Sequence, residues 1–172
     1  MAYFACNSYF SIYHYKSKVL IISEHLTLGE LIRSESAKRA GLSNMPNAEQ
    51  IENLKALAEH IFEPIRNHFR APIYISSGFR SPEVCALIKG AAKNSQHSKG
   101  EAIDIDMDGH SHNITNADIF NFIKQRLQFD QLIWEHGTDQ NPAWIHVSYT
   151  TKKPLRNEIL KALDGGKYIT FS

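Results

Sequence analysis

The sequence predicts an α+β fold in which helices pack on a small antiparallel sheet. Two observations support this prediction: capped amphipathic segments lie mainly in the first half of the 172-residue chain, and short β-rich segments lie mainly in the second half. No repeat, low-complexity segment or linker rich in proline and glycine divides the chain. We therefore expect one domain over residues 26–172, preceded by an N-terminal extension over residues 1–25.

Capping patterns indicate where the first helices begin. Thr27 and Glu30 form a capping box, which predicts a short helix directly after Thr27. Asn47 and Gln50 form a second cap pair before a longer segment whose apolar residues recur at helical spacing. Because proline lacks a backbone N–H, Pro64 is expected to kink or end this longer helix.

The remaining helices and the strands follow from the same kind of pattern. One helix is predicted to open at Ser81 and Pro82, and another is predicted to be capped by Asn116. A strand is expected from Ile73, and four further segments have the composition of strands: AIDIDM, QLIWE, AWIHVSY and KYITF. Residues 131–149 are expected to form a hairpin whose loop is HGTDQNP.

Composition argues against several classes of protein. The fractions of hydrophobic residues, 42%, and charged residues, 22%, are those of a soluble globular domain. A formal net charge of +1 gives no electrostatic basis for binding nucleic acid or an anionic membrane, and the apolar run VLII is too short to span a bilayer. Cys6 and Cys85 cannot form a disulfide framework or a thiolate zinc finger, and we expect two free thiols, although a single bridge between them stays open.

The first residues of the chain, MAYFACNSYFSIYHYKSKVLIISEH, are rich in aromatic side chains. They lack the basic start and the uninterrupted apolar core of a secretory signal peptide. We therefore expect the protein to be cytoplasmic as synthesised, unless it leaves the cell by a route other than a signal of its own.

Candidate metal ligands lie in two of the predicted strands. In the first, Ala102, Asp104 and Asp106 point to one side, and Ile103 and Ile105 point to the other. Such a strand anchors itself in the core through its isoleucines while it presents two carboxylates on a polar face. Spacing alone leaves both aspartates equally placed.

The second strand, in AWIHVSY, places His146 on the same side as Trp144 and Ser148. Together with His97, which precedes the first strand, the two strands offer a histidine, an aspartate and a second histidine. Three protein ligands with an open fourth position are the usual set of a catalytic zinc site. A histidine hydrogen-bonded to an aspartate, with no metal, is the simpler alternative that the pattern leaves open.

Three motifs in this chain resemble those of a known family. The stretches SSGFRSP, SQHSKGEAIDID and WIHVSY are similar, in order and spacing, to the zinc D-Ala-D-Ala peptidases of the bacterial cell wall. That group includes the vancomycin-resistance D,D-peptidases, several phage endolysins and, more remotely, the zinc-bearing signalling domain of Hedgehog proteins. The pattern Ser-x-His-x-x-Gly-x-Ala-x-Asp is met from Ser95 to Asp104, and Trp-x-His is met at Trp144 and His146.

The resemblance extends from about Leu26 to the end of the chain and implies both a fold and a ligand set. The fold is a Hedgehog-like or D,D-peptidase-like α+β domain that carries a zinc ion. The family pattern selects Asp104 over Asp106, so that zinc is expected to be held by His97, Asp104 and His146. Asp106 then becomes a supporting or surface carboxylate.

The same resemblance implies roles for other residues. Arg80, which would otherwise be interpreted as a surface residue at a strand-to-helix turn, is expected to stabilise the oxyanion that develops on the substrate. Ser95 and Gln96 are expected to contact the substrate. Many relatives carry an acidic residue three positions before the last histidine, but Ala143 occupies that position here.

The general base is therefore expected elsewhere in the chain. Glu135, at the end of the strand QLIWE, is the first candidate because the hairpin can bring it beside His146. Asp139 in the hairpin loop is the second candidate, and a solvated Glu135 without a catalytic role is the structural alternative.

The function that these expectations describe is hydrolysis of peptidoglycan stem peptides by a zinc peptidase. A D-Ala-D-Ala carboxypeptidase or a related endopeptidase is expected, acting as a monomer on the cell wall after export or phage-mediated lysis. Ala143 keeps a second hypothesis open, a non-catalytic zinc-containing binding module of the same fold. A metal-free structural protein is the third.

Overall fold

The computed structural model describes residues 20–88, 94–110 and 113–171 and confirms the α+β class. The helices are α1 (Leu28–Leu31), α2 (Glu35–Ala40), α3 (Ala48–Leu57), α4 (Glu63–Phe69), α5 (Pro82–Ala86) and α6 (Asn116–Arg126). The strands are β1 (Ile21–Ser23), β2 (Leu26–Thr27), β3 (Ile75–Ser77), β4 (Ala102–Ile105), β5 (Gln131–Glu135), β6 (Trp144–Ser148), β7 (Glu158–Leu163) and β8 (Lys167–Thr170). A π-helical turn, Ala58–Phe62, joins α3 to α4, and a 3₁₀ turn, Gln96–Lys99, precedes β4.

The main sheet has six strands in the order β3-β4-β6-β5-β7-β8, and β1 and β2 form a separate antiparallel pair. The expected hairpin is confirmed as the antiparallel pair β5–β6. The sheet is antiparallel as expected except at one place, where β7 pairs with β5 in parallel. β7 was not predicted, since its sequence EILKAL has apolar pairs at a spacing closer to a helix than to an alternating strand.

The two faces of the main sheet differ in chemistry, as the alternation predicts. One face packs against the helices and contributes these buried side chains to the core: Ile103, Ile105, Leu132, Trp134, Ile145 and Val147. Each fully buried aliphatic side chain of this kind stabilises the fold by roughly 1.5–3 kcal/mol. The opposite face presents Asp104, Ile133, Glu135 and His146 to a cleft. The helices therefore pack against the apolar face of the sheet and leave its polar face accessible.

Both predicted capping boxes are present, at Thr27 with Glu30 and at Asn47 with Gln50. The predicted effect of Pro64 is only partly observed: the helical segment does not end there but continues to Phe69, and the irregularity is the π turn that precedes the proline. A wider turn at this point accommodates a residue that cannot donate a backbone hydrogen bond.

The expected cap of α6 is displaced by one residue. Thr115 is the N-cap and forms a capping box with Asp118, whereas Asn116 is the first helical residue. Asn116 is fully buried, and its side chain accepts from the Met107 N–H and donates to the Pro142 carbonyl. Its role is to tie α6 to the chain after β4 and to the hairpin loop.

Cys85 is buried and free, and Cys6 lies outside the described residues. Strand β3 begins at Ile75, two residues later than expected, and α5 begins at Pro82 as expected. Among the described residues, no helix combines the length and apolar character needed to cross a membrane. The division of the chain at residue 25 stays a prediction.

A buried carboxylate holds the chain that follows β6 against the main sheet. Asp130, directly before β5, is fully buried and accepts hydrogen bonds from Arg156, whose Nη2 lies 2.7 Å from Oδ2. Lys153 Nζ lies 3.1 Å from Oδ1, and Gln96 Nε2 donates to Oδ2 over 2.8 Å. Burial raises the pKa of Asp130, but the hydrogen bonds and charges of Arg156 and Lys153 outweigh it and lower the pKa to about 2.

We expect this network to make the fold acid-sensitive. The pKa of Asp130 in the folded state is about 2, below the ordinary 3.8. Its ionised carboxylate therefore stabilises the fold above about pH 4, and this stabilisation is lost as the pH falls toward 2. The shift corresponds to about 2 kcal/mol of unfolding free energy. Urea titrations from pH 2 to 6 should show a shallower pH dependence for Asp130→Asn than for the wild type. Asp108→Asn, at an exposed position, is the control and should keep the pH dependence of the wild type. If Asp130→Asn also keeps it, Asp130 is not the source of the acid sensitivity.

Candidate metal centre

Two of the predicted ligands are neighbours across a strand pair. Asp104 in β4 lies directly opposite His146 in β6 in the antiparallel register. Directly opposed residues present their side chains on the same face of the sheet with their Cβ atoms close together. Their juxtaposition therefore follows from the register alone: the Asp104 Oδ1 atom lies 3.0 Å from His146 Nδ1.

The third predicted ligand, His97, is supplied by the 3₁₀ turn before β4. Helix α3 holds this turn through two side chains, because Gln50 Nε2 donates to the Ser98 carbonyl and Asn53 Nδ2 donates to the Lys99 carbonyl. Gly100 ends the turn with φ +72°, and a Cβ atom there would lie 2.5 Å from the Gln50 carbonyl oxygen. Only glycine fits this position, which is a physical reason for the glycine between His97 and the strand.

The contacts of His97 fix the orientation of its ring. His97 Nδ1 lies 2.7 Å from the Gly78 carbonyl oxygen, and since a carbonyl can only accept, Nδ1 is the donor. As a neutral imidazole His97 then directs the lone pair of Nε2 at Asp104 Oδ1, 3.1 Å away, and His146 Nδ1, 3.2 Å away. Carbonyl-oriented histidines of this kind are characteristic of metal ligands.

Three ligand atoms thus converge on one point: His97 Nε2, Asp104 Oδ1 and His146 Nδ1. Their separations of 3.0–3.2 Å are close to the roughly 3.3 Å between ligands of a tetrahedral zinc ion with bonds of about 2.0–2.1 Å. At most one proton, on His146, can lie among three such atoms when both histidines are neutral. The lone pair of His97 Nε2 then faces the negatively charged Asp104 Oδ1, and the two repel each other. A cation bound between them relieves this repulsion, so the donor set fits zinc.

Asp104 is ionised in this environment. Burial raises the pKa of its carboxyl, but the adjacent rings of His97 and His146 outweigh burial and hold the pKa well below its usual range. Its second oxygen, Oδ2, accepts a hydrogen bond from Arg80 Nη2 over 3.4 Å. The carboxylate therefore offers Oδ1 to a metal while Arg80 orients Oδ2.

Asp106, the competing aspartate, is excluded from this group of converging atoms. Strand β4 ends at Ile105, and the Asp106 carboxylate turns back to accept hydrogen bonds from the Asp108 N–H and from Asn116 Nδ2. Two aspartates that alternation alone places on one face are thus separated by the end of the strand.

A cleft of about 710 Å³ opens over the three converging side chains. All seven residues predicted as ligands, catalytic groups or substrate contacts line it: Arg80, Ser95, Gln96, His97, Asp104, Glu135 and His146. The side chain of Gln96 also donates to Asp130, so its amide is already oriented. Arg80 Nε is buried and has no hydrogen-bond partner among the described residues. These positions agree with the sequence hypotheses, while the roles of the residues stay predictions.

The two candidate bases are differently placed. Glu135 is buried and faces the cleft, and its pKa is raised by burial and by the negative charge of Asp104, partly offset by His146. The Asp139 side chain is 84% exposed in the hairpin loop and forms an ion pair with Lys161. The geometry therefore favours Glu135 as the carboxylate that can reach a bound substrate.

Gly78 and Tyr168 are among the residues of this site that sequence reasoning did not identify. Gly78 orients His97 through its carbonyl, and a Cβ atom there would lie 2.3 Å from the Leu31 carbonyl oxygen, so the backbone approaches α1 as only glycine allows. The glycine of SSGFRSP was the available indication. Tyr168 in β8 also lines the cleft, and its pKa is raised by burial and by the charges of Glu135 and Asp104. Nothing local in KYITF indicated this position.

A second group of potential ligands, Glu24, His25 and Glu63, lies near the β1–β2 turn. Here the His25 backbone N–H donates to Glu63 Oε1 and the His25 ring lies 2.8 Å from Glu63 Oε2. The Glu63 carboxylate, at the start of α4, is therefore occupied by hydrogen bonds with His25 in the turn, and Glu24 is exposed. This group is explained as a contact that holds the β1–β2 turn against α4.

Comparison with known proteins agrees with the geometry. Residues 24–148 match the sequence model of the family described as Peptidase M15. The match contains the three converging side chains and Glu135, and it ends with β6, before β7 and β8. No curated protein matches the chain significantly.

Proposed function

Because the chain belongs to the peptidase M15 family of zinc-dependent peptidases, we propose that it hydrolyses peptide bonds in peptidoglycan stem peptides. A D-Ala-D-Ala carboxypeptidase or a related endopeptidase is the proposed type of enzyme. The observation that carries this proposal is the convergence of His97 Nε2, Asp104 Oδ1 and His146 Nδ1 at the base of an open cleft beside the buried Glu135. Since peptidoglycan lies outside the cytoplasmic membrane, the proposed place of action is the cell wall.

His97, Asp104 and His146 would hold the zinc ion. When bound, zinc acts as a Lewis acid that polarises the substrate carbonyl and makes water nucleophilic at neutral pH. Glu135 accepts the proton released when water attacks and then returns it to the leaving amine. Its raised pKa suits this exchange, because a carboxylate with ordinary acidity is a weaker base.

Arg80 has two roles in this proposal. Its contact with Asp104 Oδ2 keeps the carboxylate oriented, and its position in the cleft directs a fixed positive charge at the oxyanion that forms on the substrate. Ser95 and Gln96 form the adjacent wall that contacts the peptide. Held in place before the substrate arrives, these groups need little reorganisation during the reaction.

Digestion of purified peptidoglycan tests the proposal directly. The zinc-loaded protein should release soluble fragments whose masses identify the bond that is cut, and a chelator should abolish the release. Binding to peptidoglycan without any cleavage would instead favour the non-catalytic zinc-containing module. A zinc stoichiometry near zero would contradict both and favour a metal-free protein.

A further inference from the structure

The cleft extends beyond the three ligand residues along β5 to a pair of basic side chains. Lys153 and Arg156, which follow β6 and lie outside the family match, line the same cleft as His146. Their side chains are 49% and 42% exposed, respectively. This end of the cleft is therefore built by a part of the chain that the family motifs do not describe.

A buried carboxylate fixes the positions of both cations. Asp130 is fully buried beneath them and accepts from Arg156 Nε and Nη2 and from Lys153 Nζ. Arg156 Nη1 also donates to Glu158. Of the five N–H groups of the arginine, these contacts use three, and they use one of the three lysine protons, so donors remain without a partner among residues 20–88, 94–110 and 113–171. Donors that are oriented but not saturated can bind a further anion.

The register of the sheet gives the spacing along β5 between the level of the proposed metal site and the residues beside Asp130, which holds these cations. Ile133 lies opposite His146, and Gln131, two residues earlier on the same face, lies opposite Ser148 next to Asp130. Two residues of a strand span about 6.6 Å. A substrate peptide extended along β5 covers this separation with about two of its own residues.

We propose that Lys153 and Arg156 form a subsite for a carboxylate of the substrate, about two residues from the bond that is cut. The substrate class is thus an acidic peptide with a free carboxylate at that position, as opposed to its carboxamide. This inference rests on the proposed function, because it identifies the substrate of the same cleft. A purely structural ion pair needs neither the exposure of the two cations nor their position in the cleft wall.

Two synthetic peptides that differ only in a carboxylate or a carboxamide at this position test the subsite. The bond found by peptidoglycan digestion sets the sequence, and the altered group is placed two residues to either side of it. We expect kcat/KM to be about tenfold higher for one of the carboxylate peptides than for its carboxamide counterpart, the effect expected of a charge-assisted hydrogen bond. The difference should become smaller at high salt, which screens the charges. Lys153→Gln should remove most of this preference without changing zinc content.

Lys152→Gln is the matched control, because Lys152 pairs with Glu49 at the surface and does not line the cleft. It should retain the preference of the wild type. Equal rates for carboxylate and carboxamide on both sides of the bond overturn the subsite, and so does an equal loss of preference in Lys152→Gln. If peptidoglycan is not cut, an outcome that counts against the proposed function alone, calorimetric binding of carboxylate and carboxamide forms of the stem peptide to the zinc-loaded protein still tests the subsite.

Discussion

Replacement of Glu135 by glutamine is expected to lower the rate of hydrolysis by about 10²–10⁴-fold, the usual contribution of a general base. The substitution keeps the size of the side chain and one acceptor oxygen but removes its ability to accept a proton. Glu135 is buried and is not one of the three converging ligands, so zinc content should stay the same. The measurement is turnover on peptidoglycan together with metal analysis of the same preparation.

The pH profile gives an independent readout of the same residue. Burial and the charge of Asp104 raise the pKa of Glu135 above the ordinary 4.5, and the charge of His146 offsets only part of this. The active form is the deprotonated carboxylate, so activity should fall as the pH drops through a value above 4.5. This acidic limb should be absent from any residual activity of Glu135→Gln.

Asp139→Asn is the control, because Asp139 is the other acid that the hairpin offers. Its carboxylate pairs with Lys161 at the surface and is not among the residues that line the cleft, so its loss should leave turnover close to that of the wild type. A large loss in Asp139→Asn with unchanged turnover in Glu135→Gln would reverse the assignment of the base. Unchanged turnover in both variants would show that neither hairpin carboxylate is the general base and would reject the proposed mechanism.

Replacement of Asp104 by asparagine is expected to weaken zinc binding by more than about a hundredfold, since loss of even an indirect contact to a metal ligand costs 10–100-fold. The substitution removes the only negative charge among the three ligand atoms. It also permits a hydrogen bond from an amide N–H to His97 Nε2, which satisfies the lone pair in the absence of metal. The folded protein should therefore persist without zinc, and calorimetric titration with zinc measures the loss.

Asp106→Asn is the matched control for this prediction. The two aspartates are two residues apart in one segment, but Asp106 contacts Asp108 and Asn116 instead of the histidines. Its replacement should leave zinc affinity within a few-fold of the wild type. Equal losses of affinity in the two variants would show that the metal is held elsewhere.

The sequence predicted much of this site because short-range rules place candidate ligands on the polar faces of their strands, and the family resemblance then selects among them. Alternation in AIDID and WIHVS places Asp104 and His146 on the polar faces of their strands, and the structure pairs these two residues directly. Caps at Thr27 and Asn47 and the hairpin around HGTDQNP were predicted for the same reason. Each of these features is set by neighbours within a few residues.

Features that depend on distant parts of the chain could not be predicted in this way. The parallel pairing of β7 with β5 and the burial of Asp130 beneath Arg156 join residues that are separated by more than twenty positions. The contact of Gly78 with His97 joins two motifs whose sequences give no indication that they touch. No local periodicity contains such information.

By itself, the sequence determined the α+β class, the hairpin and the set of histidines and aspartates from which a metal site could be made. Alternation left Asp104 and Asp106 equivalent, and the family resemblance preferred Asp104. Only the tertiary structure gives the physical reason, because β4 ends between the two residues and the second carboxylate turns back toward Asn116. It also placed Glu135 in the cleft and Asp139 at the surface. The physical reason is that side-chain alternation fixes which face a residue occupies, whereas strand length and the packing of distant segments fix which atoms meet there.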